Sequence, residues 1–108
     1  MEIRYASNPK DVKLYDTSRL REEFLIQELF VQGKIKMVYS HVDRIITGGI
    51  CPIHPLKLEA GVEIRAQYFL ERREMGIINI GAPGLVTVDG KDFELETNDG
   101  LYIGMGAQ

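Results

Sequence analysis

The chain has 108 residues, room for one domain that would bury about 65% of its unfolded surface, and its 44% apolar and 27% charged content is ordinary for a globular protein. That balance excludes a disordered, collagen-like or low-complexity chain. Thirteen Lys plus Arg against sixteen Asp plus Glu leave a net charge of -3, so neither nucleic acid nor an anionic membrane is expected as a partner.

The N-terminus, Met1-Glu2-Ile3-Arg4, lacks a positive region followed by an apolar one, and no later apolar run approaches the ~18 residues of a membrane span. A soluble, unexported protein is expected. Ile3 to Ala6 reads as a possible closing strand. The helix signal follows: Asp16, Thr17 and Ser18 offer N-cap oxygens, and Leu20, Phe24 and Leu25 recur at helical spacing, predicting a short helix of about two turns. Beyond it the texture changes to short β-branched and aromatic runs punctuated by glycine, as in an all-β sandwich or barrel.

Strands are predicted at Leu25 to Val31, Ile35 to Val42, Arg44 to Thr47, Ala66 to Glu71, Ile77 to Ile80, Leu85 to Val88, Phe93 to Glu96 and Leu101 to Ile103. Gly48-Gly49 and Gly104-Met105-Gly106 read as turns, since neither matches a phosphate-binding glycine loop. The clearest local signal is the hairpin from Leu85 to Leu95, where Asp89-Gly90 supplies the positive φ angles of a tight primed turn.

Three places carry candidate chemistry. His41, in Tyr39-Ser40-His41-Val42-Asp43-Arg44, falls on a predicted strand, where the two-residue period puts Tyr39, His41 and Asp43 on one face. This reads either as an acid-base group or as part of a structural or interface network. In Glu71-Arg72-Arg73-Glu74 the guanidiniums of Arg72 and Arg73 present planar donor forks suited to a carboxylate, or else form cross-strand ion pairs. His54, between Pro52 and Pro55, reads as a solvated imidazole. Cys51 is the only cysteine, which excludes an intrachain disulfide and a thiol metal cluster; with no cation beside it in sequence it reads as buried and inert.

The stretch from Gly61 to Gly106 fits part of the cupin pattern, a double-stranded β-helix or jelly roll. Gly61, Glu74 and Gly81 fall at the spacing of the first cupin motif. The two histidine positions of that motif hold Gln67 and Phe69, or Tyr68 and Leu70 in the shorter register, so no imidazole is available for a transition metal. The fold expected is an all-β, cupin-like jelly roll with one short N-terminal helix. Gln108 falls where a second cupin motif would be finishing, so the chain reads as an N-terminal cupin-like domain or most of it.

The strings Met37-Val38-Tyr39-Ser40-His41-Val42-Asp43-Arg44-Ile45-Ile46, with Gly48-Gly49-Ile50, and Tyr68-Phe69-Leu70-Glu71-Arg72-Arg73-Glu74-Met75-Gly76-Ile77-Ile78-Asn79-Ile80-Gly81 closely resemble the 5-keto-4-deoxyuronate isomerase family. The resemblance runs from Leu20 to Ala107. It implies an isomerase of pectin and uronate breakdown that interconverts 5-dehydro-4-deoxy-D-glucuronate and 3-deoxy-D-glycero-2,5-hexodiulosonate, by an enediol or a hydride shift. It further implies a cytoplasmic homohexamer whose zinc, held by three histidines and a glutamate, belongs to a C-terminal cupin domain absent from this chain. The part read here would then be inactive by itself, with scaffold and oligomer roles, and would hold no metal. The catalytic residues are unknown, while Arg72, Arg73 and His41 are the candidates for contact with the sugar-acid substrate. The alternative is a free-standing, metal-free cupin acting as a sugar-binding or structural module.

Overall fold

The computed structural model describes residues 1–108 and is mostly β. In chain order it has β1 (Glu2–Arg4), α1 (Pro9–Val12), α2 (Thr17–Phe24), β2 (Lys34–Ser40), β3 (Ile46–Cys51), β4 (Met75–Ile78), β5 (Gly84–Val88), β6 (Lys91–Leu95) and β7 (Gly100–Ile103). The chain divides into two compact units, Met1–Leu58 and Glu59–Gln108. The strands pair as three separate sheets, β1-β2-β3, β4-β7 and β5-β6, and no ladder closes them into a barrel.

In the first unit β2 is central, parallel to β1 and antiparallel to β3, with Val38 opposite both Glu2 and Thr47. The expected helix is α2: Asp16 caps it, accepting from the Arg19 amide at 2.8 Å, and Arg19 and Glu23 pair one turn apart at 2.8 Å. Helix α1, which was not expected, is a single turn in which Asn8 accepts from the Lys10 amide and Pro9 supplies a first residue that needs no donor.

Leu25 to Val31 forms no strand. The chain leaves α2 extended at Leu25, takes a positive φ of 53° at Glu28, and carries the Leu29 carbonyl across β3. This crossing explains Gly48-Gly49, which lie inside β3 and not in a turn. A Cβ on Gly49 would sit 2.5 Å from the Leu29 oxygen, and one on Gly48 would sit 3.0 Å from Met37 Cγ on the paired strand. Glycine is required by close approach on both faces of the strand.

In the second unit the expected hairpin is present, with Val86 opposite Phe93 and Asp89 and Gly90 at φ 50° and 76°. Its alternation is clean: Val86, Val88, Phe93 and Leu95 are buried or half-buried, while Leu85, Thr87, Asp92 and Glu94 face solvent, with Thr87 Oγ1 donating to Asp92 across the strands at 2.6 Å. Ala66 to Glu71, expected as a strand, is a series of turns and bends that delivers Phe69 and Leu70 into the interior; these, with Leu95 and Ile103, are the most buried apolar side chains of this unit. An apolar run of this length is compatible with a buried strand or with a buried turn, and periodicity does not separate them.

The two small sheets of this unit are joined at Asn79, just after β4. Its backbone extends the β4-β7 pairing, donating to the Asp99 carbonyl at 2.9 Å and accepting from Asn98 at 2.6 Å. Its side-chain amide donates to the carbonyls of Ala82 at 2.9 Å and Leu95 at 3.0 Å, and its oxygen accepts from the Gly81 amide at 3.0 Å. Asn79→Ala removes all three side-chain bonds and is expected to destabilise the chain by about 2 kcal/mol in urea unfolding, whereas Thr87→Ala on the solvent face should cost well under ~1 kcal/mol. Gly49→Ala, which meets backbone with no room to move, is expected to cost about 2 kcal/mol or more by the same measurement.

Candidate functional site

The candidate residues fall in different units, His41 in the first and the two arginines in the second. His41 lies just past β2, where its backbone N–H donates to the Arg4 carbonyl at 2.9 Å and so carries the parallel β1-β2 pairing one step further. This places Tyr5 beside it: the two rings stack at 4.7 Å and 10°, and Tyr39 meets the imidazole at 5.1 Å and 53°. The shared face expected for His41 and Asp43 is not formed. Asp43 and Arg44 both take positive φ, 54° and 52°, in the turn between β2 and β3, and the strand period ends at Ser40. His41 thus touches two aromatic rings and is exposed to solvent. Tyr39 was visible two residues away in sequence, but the stacked partner, Tyr5, is brought in only by the long-range pairing of β1.

The Glu71 to Glu74 segment is a bend leading into an extended stretch, so its residues do not stand on a strand. The Arg72 guanidinium donates to the Arg65 carbonyl at 2.6 Å, and the Glu71 carboxylate accepts from the Gln67 amide at 2.8 Å. Both side chains hold the loop from 65 to 72 in shape. Arg73 is half-buried. Glu74 accepts from the Tyr102 hydroxyl at 2.6 Å, tying the approach to β4 onto β7. That hydrogen bond, with a smaller contribution from burial and from the carboxylate's charge, raises the Tyr102 pKa above its ordinary value.

His54 is exposed in a bend, and Cys51, half-buried at the end of β3, is a free thiol. In the first unit a cavity of about 220 Å3 is lined by apolar Ile26, Leu29, Ile35, Met37 and Val38, together with Glu2, Gln27 and Lys36. No acid-base pair converges in it. No group of three His, Cys, Asp or Glu side chains is arranged to hold a metal ion. The positions of the cupin histidines hold Gln67 and the buried Phe69, and Glu74 at the carboxylate position is taken by Tyr102. These residues do not fit a zinc site.

The chain is β-rich, and several of its polar side chains bond to its own loops and sheet junctions. Comparison with protein-family models gives no match. Among curated proteins the chain matches over its whole length the 4-deoxy-L-threo-5-hexosulose-uronate ketol-isomerase of Lachnoclostridium phytofermentans, at 64% identity over 109 residues that make up 40% of that protein. Those of Lachnospira eligens and Caldicellulosiruptor bescii match at 57% and 55% identity, again over 100% of this chain and 39% and 40% of theirs. The chain belongs to this ketol-isomerase family as a homologue of its N-terminal part, and it spans about 40% of the length of the curated relatives it matches.

Glu74→Gln removes the charged acceptor from Tyr102. The Tyr102 phenol, followed by NMR of ring-labelled tyrosine, is expected to titrate at lower pH in this variant.

Proposed function

We propose that these residues are the N-terminal, cupin-like part of a zinc-dependent ketol-isomerase of uronate and pectin degradation. The whole enzyme interconverts 5-dehydro-4-deoxy-D-glucuronate and 3-deoxy-D-glycero-2,5-hexodiulosonate, an intramolecular oxidoreduction. The observation that carries this reading is the match over the whole of this chain, at 64% identity, to 40% of a protein that bears the ketol-isomerase name. In this reading the zinc is held by residues outside the 108, and the enzyme is a cytoplasmic homohexamer.

The role of this part is to support and to assemble. Its support comes from what the polar groups do: Asn79, Glu71 and Arg72 bond backbone groups of their own unit. The exposed His41 ring stacks on Tyr5 and meets Tyr39 at a tilt, beside the join of β1 to β2. Arg72, Arg73 and His41 are the residues proposed to face the sugar acid. Arg72 engages the Arg65 carbonyl through one nitrogen and retains further donors of its fork for a carboxylate.

The test is a chimera in which these 108 residues replace the matching segment of the L. phytofermentans ketol-isomerase. Isomerisation of 5-dehydro-4-deoxy-D-glucuronate at a rate within about tenfold of the parent is expected, since a supporting domain at 64% identity preserves packing. The 108-residue chain by itself is expected to show neither turnover nor stoichiometric zinc by elemental analysis. A dead but folded chimera, or one tightly held zinc per 108-residue chain, would overturn the reading.

A further inference from the structure

Two exposed arginines, Arg65 and Arg72, belong to one loop of the second unit. The Arg72 guanidinium donates to the Arg65 carbonyl at 2.6 Å, which puts one of its nitrogens within about 5 Å of the Arg65 Cα. The two side chains start from one patch of surface.

The loop that carries them is fixed. Phe69 and Leu70 are buried, the Leu70 carbonyl accepts from the Gly106 amide at 2.8 Å, and the Glu71 amide donates to the Tyr68 carbonyl at 3.2 Å. Glu71 Oε2 accepts from the Gln67 amide at 2.8 Å. Arginines on a backbone held in this way give up less freedom when they take a ligand.

Donors and acceptors are unevenly spent in this segment. Glu71 holds the Gln67 amide, Glu74 holds the Tyr102 hydroxyl, and Glu63 lays Oε2 in the space beside Gly61. Arg72 uses one nitrogen on a carbonyl, and the Arg65 guanidinium has no partner within the chain. Arg65 also takes a positive φ of 47°, a conformation that side chains disfavour and that glycine or asparagine accepts more readily. The backbone gains nothing from an arginine there, which leaves the use of its side chain as the reason for it.

Resting on the reading of the chain as part of a uronate ketol-isomerase, we propose that Arg65 joins Arg72 in a binding site for the carboxylate of the sugar acid. Each guanidinium is a planar fork of donors that matches the two oxygens of a carboxylate. A neutral sugar offers no such charged acceptor.

The probe is D-glucuronate, with D-glucose as its neutral counterpart, titrated into the 108-residue chain carrying isotope-labelled arginine and followed by NMR. Glucuronate should move the side-chain Nε–H signals of Arg65 and Arg72 and leave those of Arg4 and Arg19, which pair with Glu2 and Glu23, in place. Glucose should move none of them. Glucuronate that leaves Arg65 and Arg72 unmoved, or glucose that moves them equally, overturns the proposal.

In the L. phytofermentans chimera, Arg65→Gln should raise KM for 5-dehydro-4-deoxy-D-glucuronate on the order of tenfold, with a far smaller change in kcat. Arg65→Gly, which relaxes the backbone, should raise KM equally while the melting temperature stays at or above the parent's. An unchanged KM overturns the proposal; if the melting temperature then falls, the arginine's partner is a carboxylate of the remainder of the enzyme. Turnover reports separately on the isomerase reading. An active chimera whose arginines ignore glucuronate defeats only the site, and an inactive one whose arginines bind it defeats only the isomerase.

Discussion

The side-chain amide of Asn79 joins two small sheets that share no ladder. β4-β7 and β5-β6 are each two strands, and an isolated two-stranded sheet is marginal in water. Asn79 lies in the β4-β7 pairing through its backbone and reaches the Leu95 carbonyl at the end of β6 through its side chain. Thr97 Oγ1 repeats the link by donating to the Gly81 carbonyl at 2.7 Å. Beside these bonds and the contact of Gln108 with Asp89 in the β5-β6 turn, the two sheets rest on Phe69, Leu70, Leu95 and Ile103, a small set of buried side chains for sheets of this size.

The same economy governs the charged residues. Arg72 and Glu71 shape one loop, Glu74 fastens Tyr102, and the carboxylate of Asp99 accepts from the Glu96 amide at 2.8 Å in the turn before β7. Each of these bonds fixes a loop or turn that no strand ladder holds. The aromatic packing of His41 serves the first unit in the same way, securing β1 against β2 through a ring stack and one backbone hydrogen bond.

What was legible in the chain followed local rules. The β5-β6 hairpin was readable because Asp89-Gly90 demands a primed turn and the flanking residues alternate, and α2 because Asp16 caps a short helical period. The misreadings share one cause. Gly48-Gly49 looks like a turn, but the glycines answer to the Leu29 carbonyl and the Met37 side chain. Ala66 to Glu71 looks like a strand, but Phe69 and Leu70 are buried from a turn. The placing of Asp43 beside His41 and the strand status of Arg72 and Arg73 failed for the same reason, since face assignments hold only while the strand continues, whereas Tyr39 does meet His41.

The residues by themselves determined the β-rich character, the hairpin, the capped helix and the family, because these rest on short-range geometry and on long strings of identical residues. Only the tertiary structure decided which glycines are close-contact positions, that Tyr5 is the ring against His41, that Asn79 is the junction, and that Gln108 meets Asp89. Each of those is a contact between segments far apart in the chain, and such contacts are set by how strands pair and cross, which no local period encodes.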